Sequence, residues 1–335
     1  EEFGFAVEED QAAGPAMAGC GNLLARIPGT ADSWIAFCAH LDTVPHEGPI
    51  EVVLEDGIYR SAGETILGAD NKAAVAVLVE LAARHRSEPP PVGLELLFTV
   101  AEEQGLRGAA AFDSSRLKST MVFVLDHATD IGEVIIAAPS HHRIEAKFQG
   151  VESHSGLDPE SGRSAIAAAA EAIAGMKLGR LDSETTANIG LIDGGSSGNI
   201  VPGSCRVSGE ARSLDSGRAV EAIMAMSDAM IWAASEHGCE VDIWTELVFS
   251  GYRIAEDSVA LKLAEEALTS RGHTPRRVTT GGGSDANVFN ARGVEAILLA
   301  NGTYENHTSR EWVPRENLPE MLEVCEALIR GAARC

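Results

Sequence analysis

Aromatic side chains make up only 5% of the 335 residues, so the interior has to be built from Ala, Val, Leu and Ile. Cations are scarce too: 26 Lys and Arg stand against 50 Asp and Glu, a formal charge of −24. Phosphate backbones and anionic membranes are held by concentrated Lys and Arg, so this balance argues against a nucleic-acid partner and against membrane docking. A solvated acidic surface accounts for the charge, with adaptation to high salt as the sharper alternative. No apolar run reaches the roughly 18 residues that a membrane-spanning helix needs. Cysteine is sparse and scattered: Cys20, Cys38, Cys205, Cys239, Cys325 and Cys335 form no Cys-x-x-Cys pair and read as free thiols in a reducing compartment. No signal peptide opens the chain, so a cytoplasmic location is expected. The abrupt start at Glu1 leads us to expect a native segment before it.

What is present is enough apolar residue, 45%, and enough length for two domains. The first third alternates strand and helix signals. Trp34–His40 is a buried strand by length and flanks, Ile58–Arg60 a small edge strand, and Leu94–Val100 and Met121–Leu125 two further strands. Apolar residues of Lys72–Arg84 recur on a helical period, so a helix begins near Asp70. This order implies a mostly parallel sheet flanked by helices. The middle third differs. Glu133–Ala138, Arg143–Gln149, Thr186–Ile192, Cys205–Arg212 and Glu240–Leu247 read as strands around helices at Arg163–Met176 and Ser216–Glu236. The last third returns to helix Val259–Arg271, a Gly-rich turn at Gly281–Gly283, strand Ala296–Ala300 and helix Leu318–Arg330. The expectation is an α/β domain in two parts, 1–130 and 248–335, interrupted by an α+β insertion at 131–247.

Five candidate ligands sit at the ends of these elements: His40, Asp70, Glu103, Asp126 and His307. Carboxyl ends of parallel strands are where open α/β sheets gather their sites, so residues distant in sequence converge at one edge. Imidazole and carboxylate suit zinc or a similar ion. Two His and three acids exceed what one tetrahedral catalytic ion can take and suit two ions sharing a carboxylate, which can polarise a carbonyl and acidify water. Each residue has a plainer reading: Asp70 as a helix N-cap, Glu102-Glu103 as a solvated turn, a strand-end His as a surface residue. It is their order along the chain that sets the plain readings aside.

The pieces Ala39–Pro45 (AHLDTVP), Leu67–Ala73 (LGADNKA), Phe98–Gly105 (FTVAEEQG), Gly150–Gly156 (GVESHSG), Gly198–Pro202 (GNIVP), Gly281–Asn287 (GGGSDAN) and His307–Val313 (HTSREWV) span most of the chain. In this order they resemble the dizinc exopeptidase family of tripeptidase T, glutamate carboxypeptidase, aminoacylase and succinyl-diaminopimelate desuccinylase, with the tripeptidase-T branch nearest. The resemblance implies that Asp70 bridges two Zn2+ per subunit (Co2+ or Mn2+ fitting similar ligands), with His40 and Asp126 completing one and Glu103 and His307 the other. It implies that Asp42 hydrogen-bonds His40 from behind. Glu102, not itself a ligand, takes a proton from the attacking water and passes it to the leaving nitrogen. The insertion becomes a lid and dimerisation domain. There His154 stabilises the oxyanion, often in a partner subunit's site, while Asn199 and Arg212 bind substrate, an Arg offering a planar fork to a carboxylate. Gly283 lies in a family loop beside the site, where glycine permits close backbone approach and positive φ. His127 and the His141-His142 pair match no ligand motif and are taken as structural.

The implied activity is hydrolysis of a short peptide in the manner of a tripeptide aminopeptidase, by a homodimer. The nearest rival is an N-acyl amino acid deacylase or carboxypeptidase of the same family; a rival of another class is a non-catalytic zinc or small-molecule binding protein. A phosphate cradle is weak, because no Gly-Lys-Ser/Thr follows the glycines. A serine hydrolase is disfavoured too, because Gly194–Gly198 (GGSSG) precedes Asn199–Pro202 inside the insertion, with no strand-to-helix elbow.

Overall fold

A computed structural model of the chain describes residues 4–334. Glu1 and the expected free thiol of Cys335 fall outside those residues. The chain divides into two compact units, one formed by the residues up to Ala138 together with those from Tyr252 onward, the other by Pro139–Gly251.

The first unit is a mixed α/β body around a nine-stranded sheet. Its order is Ala6–Glu9, Leu23–Ile27, Gly93–Thr99, Trp34–His40, Met121–His127, Glu295–Ala300, Glu133–Ala138 and Tyr252–Arg253, with Arg276–Thr279 also beside Glu133–Ala138. The four strands from Gly93–Thr99 to Glu295–Ala300 run parallel, and antiparallel strands extend both flanks. Glu133–Ala138, expected in the insertion, instead belongs to this sheet. Its apolar residues Val134 and Ile135 pair with Leu299 and Leu298, which removes both from water. Helices Ala69–Arg84, Val259–Ser270 and Asn317–Ala332 contribute Leu78, Leu81, Ala264 and Leu328 to one core with Phe37, Leu96, Phe123 and Ile297 of the sheet. Helix Asp285–Ala291 packs on Met121–His127 and Glu295–Ala300. Ile58–Ser61, expected as an edge, is the middle of a small three-stranded sheet, because the distant Trp312–Pro314 pairs with its second side, Trp312 opposite Arg60.

The second unit is a five-stranded antiparallel sheet in the order Gly179–Arg180, Thr185–Gly194, Ser204–Ser213, Ser140–Gln149, Glu240–Phe249. Helices Ala165–Gly175 and Ser216–Glu236 cover one face, where Ala165, Ala168, Ala169 and Ala172 allow close approach to Ile144, Phe148 and Val207. Among the described residues no helix is long and apolar enough to cross a membrane, and Cys20, Cys38, Cys205, Cys239 and Cys325 are free thiols.

Candidate active site

Strand alternation fixes the first two functional side chains. Phe37 and Ala39 join the core under helices Ala69–Arg84, Val259–Ser270 and Asn317–Ala332, so Cys38 and His40 point to the other face. Phe123 and Leu125 do the same on the neighbouring parallel strand, which turns Val124 and Asp126 the same way. Cys38 stands opposite Val124, and two residues further on His40 Nε2 lies 3.4 Å from Asp126 Oδ1. The imidazole is 2% exposed.

The remaining groups arrive from turns beyond the strand ends. Gly68, at φ +72, precedes Asp70, whose two carboxylate oxygens face two different rings: Oδ1 is 2.9 Å from His40 Nε2 and Oδ2 is 3.0 Å from His307 Nε2. His307 Nε2 is also 2.9 Å from Glu103 Oε1. Glu102 is buried beside them. The donors of His40, Asp70 and Glu103 lie within 4.8 Å of one another, and so do those of His40, Glu102 and Asp126. All five sequence-expected ligands and Glu102 therefore meet at one sheet edge, although the second close triple contains Glu102 rather than Asp70.

Asp42 meets His40 and also holds the turn at Glu102-Glu103. The bond from His40 Nδ1 goes to the main-chain carbonyl of Asp42 at 3.0 Å, while the Asp42 carboxylate, 3.6 Å from that nitrogen, is a charged neighbour beyond hydrogen-bond range. Its oxygens instead accept the N–H groups of Glu102 and Glu103 at 3.0 and 3.1 Å. The turn after Thr99 exposes two adjacent donors, and a carboxylate with two free oxygens satisfies both.

The electrostatics are those of crowded carboxylates and rings. Hydrogen bonds to the carboxylates of Asp70 and then Glu103 hold the His307 pKa up at about 10. Burial pushes Asp126 up to about 7 against the pull of His40. Burial also works to raise Asp70, but His307 and His40 outweigh it and hold the carboxyl below its usual range. Glu102 is raised well above the ordinary carboxyl value, first by burial and then by the charge of Asp126. A set of two imidazoles, His40 buried and His307 exposed, and several carboxylates, one presenting an oxygen to each ring, fits the donor chemistry of borderline divalent ions.

Several contributors were not singled out from the sequence. Asn71 Nδ2 donates to Asp126 Oδ1 at 3.2 Å, and Asn301 Nδ2 donates to Asn71 Oδ1 at 3.3 Å, so a two-amide relay orients the Asp126 carboxylate. Asn71 adjoins Asp70 in the Asp-Asn-Lys motif, which was the available signal. Asp285 is buried under the site and accepts from Thr99 Oγ1 at 2.5 Å. Glu311, 1% exposed, accepts the N–H groups of Gly68 and Asp70.

The substrate-side expectations fall as follows. In the second unit, His154 and Asn199 are brought together: Ser153–His154 pairs with Ile200–Val201, and the Ser155 N–H donates to the Asn199 carbonyl at 3.0 Å. His154 is exposed and its Nδ1 accepts from Gly156 N–H at 3.2 Å. Arg212 donates to Glu210 at 3.0 and 3.1 Å, and Glu210 lies 2.9 Å from His141, so the guanidinium is engaged within its own sheet. In the first unit, Gly283 immediately precedes Ser284, the residue that caps Asp285–Ala291. The neighbouring glycines are not held by left-handed backbone or by contacts within the chain. Gly281 and Gly282 have no positive φ, and a Cβ would meet nothing within 4 Å at Gly281 and only Thr280 Oγ1, at 3.6 Å, at Gly282.

Comparison with known proteins gives a consistent picture. The sequence model of peptidase family M20/M25/M40 matches residues 36–331. A Bacillus subtilis (strain 168) protein, YqjE, is 36% identical over 99% of this chain and 90% of its own length. The crystal structure of aminopeptidase PepT from Bacillus cereus superposes with a TM-score of 0.87 at 38% identity, covering 99% of this chain and 90% of that one. A tripeptidase from Staphylococcus aureus superposes with a TM-score of 0.93 at 33% identity, covering 100% and 90%.

Proposed function

The chain belongs to peptidase family M20/M25/M40 and is a peptidase, and from that premise we propose that it releases the N-terminal residue of short peptides, tripeptides foremost, at a two-zinc site. The observation that carries the proposal is Asp70, whose two oxygens lie 2.9 and 3.0 Å from two different imidazoles, the disposition of a carboxylate shared by two ions. In this reading Asp70, His40, Asp126, Glu103 and His307 would hold the two ions, His40 with Asp126 on one side of Asp70 and Glu103 with His307 on the other. Bound zinc would supply the Lewis acidity that acidifies water and polarises the scissile carbonyl. The remaining work falls to side chains of the chain itself. Glu102, buried and raised in pKa, takes the proton of the attacking water and delivers it to the leaving nitrogen. Asp42 fixes the Glu102-Glu103 turn through its two main-chain bonds. His154 is the proposed donor to the oxyanion, and Asn199, Arg212 and Gly283 the proposed substrate contacts.

We further propose a homodimer joined through the second unit. Val220, Met224 and Ile231 recur on one face of Ser216–Glu236 and, with Trp232, remain exposed, which supports a second copy as their cover. The free thiols fit a cytoplasmic location.

The test is metal content per chain on protein purified without chelator, with free tripeptides and N-acyl amino acids assayed on the same sample. Two zinc ions and chelator-sensitive tripeptide cleavage are expected. Preference for N-acyl amino acids would move the assignment to a deacylase. Absence of turnover after adding zinc, cobalt or manganese would overturn the proposal.

A further inference from the structure

Glu311 is a buried carboxylate that touches no imidazole of the site, yet it joins two of the segments that carry the proposed ligands. Its Oε2 accepts the Gly68 N–H at 2.7 Å and its Oε1 accepts the Asp70 N–H at 2.8 Å. Both oxygens are spent on the turn that presents Asp70. Four residues before Glu311 stands His307, in a loop that closes on itself. Tyr304 and Trp312 exchange two main-chain bonds of 3.0 and 3.1 Å, and their rings stack at 4.2 Å between centroids. Trp312 is also tied to Arg60 through the small sheet. The loop is thus anchored at its base, and Glu311 is the side chain that reaches from that base to the Asp70 turn.

We propose that Glu311 is a positioning residue that locks the His307 loop to the Asp70 turn, setting the spacing at which the two residues share a metal ion. The proposal rests on the two-metal reading above. It is distinct from a plain capping role, although Glu311 also meets free N–H groups at the start of the Ala69–Arg84 helix. A cap alone stabilises the helix. A lock also sets metal affinity, as residues that orient ligands do, commonly by 10- to 100-fold.

The experiment is calorimetric titration of zinc into chelator-stripped wild type, Glu311→Gln and Glu95→Gln, with thermal unfolding of the metal-free proteins alongside. Glu95 is the control: a fully buried carboxylate that binds Arg26 and the Lys118 and Ser119 N–H groups at the far end of its strand from the site. The lock requires that Glu311→Gln bind at least one zinc about 10- to 100-fold more weakly than wild type, while Glu95→Gln loses thermal stability at unchanged zinc affinity. Wild-type affinity in a folded Glu311→Gln protein, with only its melting temperature lowered, would reduce Glu311 to a cap and overturn the proposal. Should Glu311→Gln not fold, Glu311→Asp, which keeps the charge and shortens its reach, takes its place under the same criteria. A wild-type chain that binds no zinc would instead overturn the two-metal reading, and this one with it.

Discussion

Glu102 is where the proposed chemistry is most exposed to test. It lies in a close donor triple with His40 and Asp126, so it could serve as ligand or as base. Replacing it with Gln keeps shape and removes proton transfer. As the base, Glu102→Gln should retain the wild-type metal content while kcat falls about 100- to 10,000-fold; a drop in metal per chain would make it a ligand instead. A second residue-scale prediction concerns Glu210, in the second unit. The hydrogen bond with His141, then those with Arg212, brings its pKa down to about 2 from 4.5. A carboxyl whose folded pKa is depressed stabilises the protein above its unfolded pKa, and the contribution fades as pH falls through the folded value. Glu210→Gln should therefore be less stable near neutral pH by about 1 kcal/mol or less, since the side chain is a third exposed. The gap to wild type should close between pH 4.5 and 2 in denaturant titrations. The metal-ligand candidates were legible in the sequence because His and acidic residues at strand ends form a rare series. Glu311 and the carboxylate role of Asp42 were not, because both act on main-chain N–H groups, and nothing in a residue's identity reveals which backbone it will meet.

At the scale of elements, strong periodicity was readable and weak periodicity was not. Trp34–His40 and Ser216–Glu236 match their expected bounds, because the first is a continuous apolar run and the second a long amphipathic pattern. Arg276–Thr279, with sequence RRVT, and Ala6–Glu9 lie at the margins of the sheet, and their polar side chains leave no alternation to detect. Asp285–Ala291 is only seven residues long, too short for a helical period to emerge. Capping decides where two of the helices start. Ala165–Gly175 begins after Ser164, whose Oγ accepts the Ala167 N–H at 3.1 Å, rather than at Arg163. Asp215 does the same for Ser216–Glu236, accepting from Gly217 and Arg218 at 2.8 and 3.2 Å. Asp215→Ala should cost about 1 kcal/mol in denaturant unfolding, and Asp215→Asn, which keeps an acceptor, should cost less. No loss in Asp215→Ala would mean that the helix is held by its packing on Ile144 and Phe148 and that the cap adds nothing.

For the whole molecule the deciding quantity is charge. With 50 acidic and 26 basic residues, like charges outnumber the partners available to them, and a chain at −24 repels itself more when compact than when unfolded. Salt shortens the reach of that repulsion from roughly 30 Å at 0.01 M to roughly 8 Å at 0.15 M. It also weakens the exposed ion pairs, such as Arg277 with Glu256 and Glu265 at 2.6 Å, which act in the opposite sense. Exposed pairs of this kind contribute about 0–1 kcal/mol each, whereas the net excess acts on every surface carboxylate at once. The excess should win. The melting temperature should rise as sodium chloride goes from 0.01 to 0.15 M at neutral pH, and the rise should shrink on approach to the isoelectric point near 4.7, where the excess charge is gone. A melting temperature that falls with salt at neutral pH would mean that the paired charges, not the unpaired excess, govern the surface. The acidic balance would then be a network holding the fold together rather than a load that it carries.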